Sequence, residues 1–160
     1  MSYLKAKHLS ELLVSKGLTI SVAESCTGGS LSSSLTSISG ASSYFNCGFI
    51  TYSNQSKIDM LGVNPESIEM FGAVSEKVAH EMVIGAGQRS HSNLAVSISY
   101  GMSNVEFEAA AKVDQEDSGL AVSYTMGSMT VAAFQNKSDN VGGSTGVEDT
   151  ITEISVAFAF

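Results

Sequence analysis

Leu18-Thr19-Ile20-Ser21-Val22-Ala23, followed directly by Glu24-Ser25-Cys26-Thr27-Gly28-Gly29, is the stretch on which the fold class turns. Ile20 and Val22 alternate with polar neighbours, the period of a half-buried strand. The six residues after Ala23 read as a turn, and the two glycines give its backbone freedom and close approach. A serine-rich helix through about Ser37 is expected next, held by packing more than by propensity. Upstream, Leu4, Leu9, Leu12 and Leu13 recur at helical spacing between Ser2 and Lys16, with Gly17 as C-cap.

Downstream the alternation continues. Gly40 to Ser43 reads as a loop and Cys47 to Ser53 as a strand rich in aromatic and β-branched residues. Asn54 is placed to cap a short helix through Met60, and Pro65 to sit in the first turn of another ending near Phe71-Gly72. Ser75 and Glu76 open a longer helix through about Arg89, with Val78, Met82, Val83 and Ala86 on one face. Leu94 to Ser99 reads as a third strand. Strands alternating with helices predict an α/β sheet covered by helices, in one domain spanning residues 1–160.

After Tyr100 the pattern weakens. Glu106 to Lys112 reads as a turn or two of helix; Leu120–Tyr124, Met129–Phe134 and Ile151–Phe160 read as strands. Asn136 to Asp149, with Gly142-Gly143-Ser144-Thr145-Gly146, reads as a polar loop. It lacks the lysine of a Walker motif and is not taken as a phosphate loop.

Composition narrows the function classes. Apolar residues make up 43% and charged residues 15% of the 160, a globular balance. No apolar run approaches the roughly 20 residues that span a bilayer, and no secretory signal pattern stands at the N-terminus. Cys26 and Cys47 make neither a disulfide framework nor a metal cluster, and His8, His80 and His91 show no ligand spacing. The expectation is a cytoplasmic protein without metal or cofactor. The net charge of −8 argues against nucleic acid or an anionic membrane as partner. Residues 1–100 hold six bases against seven acids, whereas residues 101–160 hold only Lys112 and Lys137 against nine acids.

Two places carry chemistry. Ser25 stands at a strand-to-helix turn beside exposed amides, suited to a nucleophile or to an anion cradle, and equally to an N-cap serine with turn glycines. Lys57 closes Thr51-Tyr52-Ser53-Asn54-Gln55-Ser56-Lys57 at a second strand-to-helix junction. A desolvated lysine there would be a general base; a solvated helix lysine is the commoner case. Tyr52 would orient the lysine or simply pack. Glu24 would fix the turn by bonding backbone amides, or lie exposed. Cys26 adjoins Ser25, but no histidine stands near it in sequence to make a cysteine nucleophile.

Taken together, AESCTGG (Ala23–Gly29), FITYSNQSK (Phe49–Lys57), LGV (Leu61–Val63) and GAVSE (Gly72–Glu76) resemble the nicotinamide mononucleotide deamidases, the family that also forms the C-terminal domain of the competence-damage-inducible protein CinA. The resemblance is dense over about residues 10–99. It implies a three-layer α/β sandwich with a mixed sheet, a homo-oligomer (a dimer) and a small nucleotide substrate as partner. It implies Ser25 as nucleophile, Lys57 as its base and Tyr52 as the third member of the catalytic set. Glu24, Thr27, Gly28, Gly29, Thr51 and Asn54 are the expected substrate-binding positions. The implied reaction is hydrolysis of nicotinamide mononucleotide to nicotinate mononucleotide and ammonia.

The chain departs from the family after Ser99. Tyr100-Gly101-Met102-Ser103-Asn104 replaces a segment rich in glycine and proline, and no arginine follows Arg89. The family's phosphate-binding arginines and terminal helix have no counterpart. The second reading is therefore a divergent homologue that keeps the fold and the turn but serves as a nucleotide-binding or assembly module.

Overall fold

The computed structural model describes residues 2–105, 113–126, 129–139, 146 and 148–158. Their elements run α1 (Tyr3–Lys16), β1 (Ile20–Glu24), α2 (Ser30–Thr36), a 3-10 turn (Ala41–Ser43), β2 (Phe45–Ile50), α3 (Asn54–Leu61), α4 (Pro65–Phe71), α5 (Glu76–Ser90), β3 (Leu94–Val105), β4 (Val113–Met126), β5 (Met129–Asp139) and β6 (Glu148–Phe158). The fold is α/β, as the alternation predicts.

Six strands form one mixed sheet in the order β2-β1-β3-β4-β5-β6. β1 is parallel to both β2 and β3, and the remaining pairs are antiparallel. The chain leaves β1 to one side to make β2, then crosses to the other side to make β3. In open parallel sheets such a reversal leaves a crevice outside the carboxyl ends of the strands. Ser25 stands there, immediately after β1.

Alternation along β1 divides the core between two helical layers. Ile20 and Val22 pack with Leu13 of α1 and Leu35 of α2 on one face. Ala23, Ala95 and Ala121 meet Val78, Met82, Val83 and Ala86 of α5 on the other, together with Leu61 of α3. Small side chains on the sheet let α5 approach closely. The tightest approach is between α5 and α3, where a methyl group added at Gly85 would strike the Leu61 carbonyl. Gly85→Ala is expected to destabilise the domain by about 1–3 kcal/mol through overpacking. The urea midpoint should fall with an unchanged m-value.

Several sequence expectations are corrected. On α1 the buried residues are Ala6, Ser10 and Leu13, whereas Leu4 and Leu12 are exposed. β1 begins at Ile20 rather than Leu18, and α2 ends at Thr36 rather than Ser37. β2 ends at Ile50 rather than Ser53, because residues 51–53 turn away to start α3. The cap of α3 is Ser53, not Asn54; its hydroxyl accepts from the Ser56 amide at 3.1 Å. β3 runs on to Val105, β5 runs to Asp139 although the sequence reads as a loop from Asn136, and β6 starts at Glu148. The expected helical turn at 106–112 and the Gly142–Gly143 stretch lie outside the described residues.

Candidate active site

The turn after β1 is held from below by Glu24. Its carboxylate is fully buried and accepts four hydrogen bonds: from the Leu31 amide (3.0 Å), the Ser32 amide (2.8 Å), the Ser32 hydroxyl (2.6 Å) and the Thr27 hydroxyl (2.7 Å). The N-cap of α2 is Gly29, which has no side chain to cap with, and Glu24 takes over that task from the preceding strand. Burial raises the Glu24 carboxyl, but the bonds from Ser32, Leu31 and Thr27 outweigh it and hold the group below the ordinary glutamate range. Gly28 (φ 58°) and Gly29 (φ 96°) are left-handed, and a Cβ at Gly29 would also press on Ile50. The result is a rigid turn with Ser25 half-buried at its base.

Lys57 reaches the same point from α3. Helical side chains tilt toward the N-terminus, so a long side chain in the first turn points back to the strand it follows. The Lys57 amine lies 3.1 Å from Ser25 Oγ, 2.8 Å from the Thr51 carbonyl and 3.2 Å from the Tyr52 carbonyl. The residue is 1% exposed. Burial pushes its amine below the ordinary lysine range, opposed in part by the neighbouring Cys26 sulfur. No carboxylate bonds to it among the described residues. A neutral amine has two N–H donors and one lone pair. As placed, Nζ can donate to all three oxygens, as an ammonium would; as a neutral amine it can keep its two N–H groups on the carbonyls and turn its lone pair to Ser25.

The model of the CinA C-terminal domain matches residues 3–113. The chain belongs to this family. CinA-like proteins of Chloroherpeton thalassium and Chlorobaculum tepidum are 50% identical over 91 residues and 54% identical over 86, covering 57% and 54% of this chain. The chain spans about a fifth of the length of these relatives, 22% and 20%. Among solved structures, the competence/damage inducible protein CihA from Agrobacterium tumefaciens superposes with a TM-score of 0.62 at 30% identity, over 98% of this chain and 81% of that one. A CinA superfamily protein from Escherichia coli gives 0.61 at 28% identity, over 97% and 76%.

In this CinA domain the other expected site residues divide by position. Thr51 is fully buried, and Tyr52 lends its carbonyl to Lys57 while its side chain is 75% exposed, so the ring does not pack on the lysine. Glu24, with both oxygens engaged beneath the turn, braces Ser25 and does not face the crevice. Asn54 is exposed at the first position of α3. The Gly28 amide bonds the Ser25 carbonyl (3.1 Å) and the Ser30 amide bonds the Thr27 carbonyl (3.0 Å). That leaves the amides of Thr27 and Gly29 as the turn donors without an acceptor among the described residues.

Ser97, which sequence reading did not single out, is buried on β3 opposite Ala23, and its hydroxyl has no partner among the described residues. Nothing in its sequence context signals this. An apolar cavity of about 440 Å³ under α1 and α2 touches the turn at Thr27, and a groove of about 590 Å³ runs along α1; neither contains Ser25 or Lys57. Among the described residues no group of three or more His, Cys, Asp or Glu is placed to hold a metal, and no helix is long and apolar enough to cross a membrane.

Proposed function

We propose that this CinA domain hydrolyses a carboxamide through Ser25 and Lys57, with nicotinamide mononucleotide as the substrate its family resemblance implies. The observation that carries this reading is the buried amine of Lys57, held by two carbonyls with its third direction toward Ser25 Oγ. Ser25 Oγ attacks the carboxamide carbon while its proton passes to Lys57 Nζ. The carbonyl oxygen becomes an oxyanion, for which the amides of Thr27 and Gly29 are the available donors; one such donor is worth about 3 kcal/mol in other enzymes. Lys57 then delivers the proton to the amide nitrogen as the C–N bond breaks and ammonia leaves. Water attacks the resulting ester, Lys57 takes the water proton, and the ester bond breaks to give the carboxylic acid product. The proton on Lys57 returns to Ser25 Oγ.

Glu24 and the carbonyls of Thr51 and Tyr52 act as positioning groups in this scheme. Ammonia release on incubation with nicotinamide mononucleotide, measured against a Ser25→Ala control, tests the reading. Turnover that disappears in the control supports it. The same negligible release from both proteins would instead favour a binding or assembly module.

A further inference from the structure

The helices cover the two faces of the sheet unequally. Ala121, Ser123, Ala132 and Phe134 of β4 and β5 are buried on the α5 side, where the Ser123 hydroxyl donates to the Val83 carbonyl at 3.3 Å. On the other side α1 and α2 pack over β1 and reach Leu94 and Val96 of β3. Register continues that side outward: it sets Val122 beside Ala133 and Ala133 beside Ile154, then Leu120 beside Gln135 and Gln135 beside Thr152. Alternation puts all six on the face away from α5, with Tyr124 and Val131 in the next row. Leu120 is 46%, Tyr124 40% and Ile154 70% exposed. None of these eight side chains is charged, on a chain whose net charge is −8.

Toward the Ser25 end the same face becomes ionic, where Lys137 meets Asp139 at 3.0 Å and Glu148 at 3.3 Å. An apolar centre with a polar rim is the anatomy of a protein–protein interface. At about 3.4 Å per residue and 4.8 Å per strand, the eleven paired rows of β4, β5 and β6 span roughly 35 Å by 15 Å, about 500 Å² before side-chain relief is added. A standard interface takes about 800 Å² from each partner, so a face of this size suits a reversible dimer.

The face is also complementary to itself. At its inner edge Leu120 and Val122 line the apolar cavity of about 440 Å³, together with Leu9 of α1 and Leu31 of α2. At its outer edge Ile154 stands out. A two-fold axis along β5, in the plane between two such sheets, sets β4 of each copy against β6 of the other. Each Ile154 then meets Val122 of the other copy at the mouth of that cavity. We propose that this face binds a second copy of the chain, sheet against sheet, with each Ile154 seated in the other copy's cavity between β4 and the helices. The contact needs no charge pairing at its centre, and it is independent of the amide-hydrolysis reading.

Sedimentation velocity over a concentration series tests this, with urea midpoints as a control for folding. The unaltered chain should pass from monomer to dimer in the micromolar range. Added salt should favour the dimer, because it screens repulsion between two copies of charge −8 while leaving the apolar centre intact. Ile154→Lys should raise the dissociation constant about tenfold or more without lowering the urea midpoint, since the side chain it replaces is largely exposed. Ile154→Val should keep the dimer. Leu120→Ser, on the cavity side of the contact, should weaken it likewise, so a folding defect in one variant leaves the other to decide. A chain that stays monomeric to about 0.5 mM overturns the proposal. So does a dimer or larger assembly that both variants leave unchanged, or one that salt dissolves.

Discussion

Replacing Lys57 with methionine is expected to lower amide hydrolysis roughly 10²–10⁴-fold, the usual contribution of a positioned general base. Methionine keeps much of the side-chain volume but cannot accept the Ser25 proton. Ser25→Ala and the double variant should be no worse than the more damaging single change, because groups that act as a unit do not contribute additively. Activity of the unaltered chain should rise with pH, since only the neutral amine is a base. Its inflection should lie below the ordinary lysine value of about 10.4. Stability carries the same signature. Burial depresses the folded pKa of Lys57, so between the folded and unfolded values the unfolded chain binds more protons. Stability therefore rises with pH across that window and is lost as pH falls through the folded value. Lys57→Met removes this dependence, so in urea the wild type should gain stability relative to Lys57→Met toward alkaline pH. Steady-state kinetics and denaturation on one set of proteins check both effects. Retained activity in Lys57→Met would remove the lysine as base.

Much of this arrangement was legible in the residues, and the illegible parts share a cause. The strand, turn and helix around Ser25 announce themselves through Ile20, Val22 and the glycine pair. Pro65, Ser75 and Glu76 mark α4 and α5 where the structure places them. What sequence does not display is work done by the backbone. Thr51 and Tyr52 hold Lys57 by their carbonyls, which any residue could offer, so the conspicuous ring of Tyr52 draws attention to the wrong atoms. The leucine spacing of α1 marks its packing face only in part, through Leu9 and Leu13. Leucine spacing marks a helix, but Ala6 and Ser10 are the residues small enough for close contact, leaving Leu4 and Leu12 outside. The second half is legible as strands yet not in their lengths. Ladder pairing between β3, β4 and β5 extends each strand into polar sequence such as Gln115–Ser118 and Asn136–Asp139, where hydropathy gives no signal.

Glu24 shows the same limit, because helix caps are sought at the N-cap and this one is supplied from the strand before it. Glu24→Ala is expected to destabilise the domain by roughly 2–6 kcal/mol, from two buried amides left without acceptors at about 1–3 kcal/mol each. The hydroxyls of Thr27 and Ser32 can rotate to other partners, whereas the amides of Leu31 and Ser32 are fixed by the helix. Glu24→Gln should recover only part of the loss, since one carboxylate oxygen becomes an NH₂ group facing donors. The pH dependence has a definite sign. The folded carboxyl titrates below its ordinary value, so its contribution is fully present above the unfolded pKa of about 4.3 and is lost as pH falls through the folded value. Urea denaturation at neutral pH and through the acid range should show the gap between wild type and Glu24→Gln closing on acidification. Because the same bonds set the Ser25 turn, residual activity in Glu24→Gln should fall even at temperatures where the protein stays folded. A variant as stable as wild type at neutral pH would mean that the four bonds to Glu24 do not hold the turn.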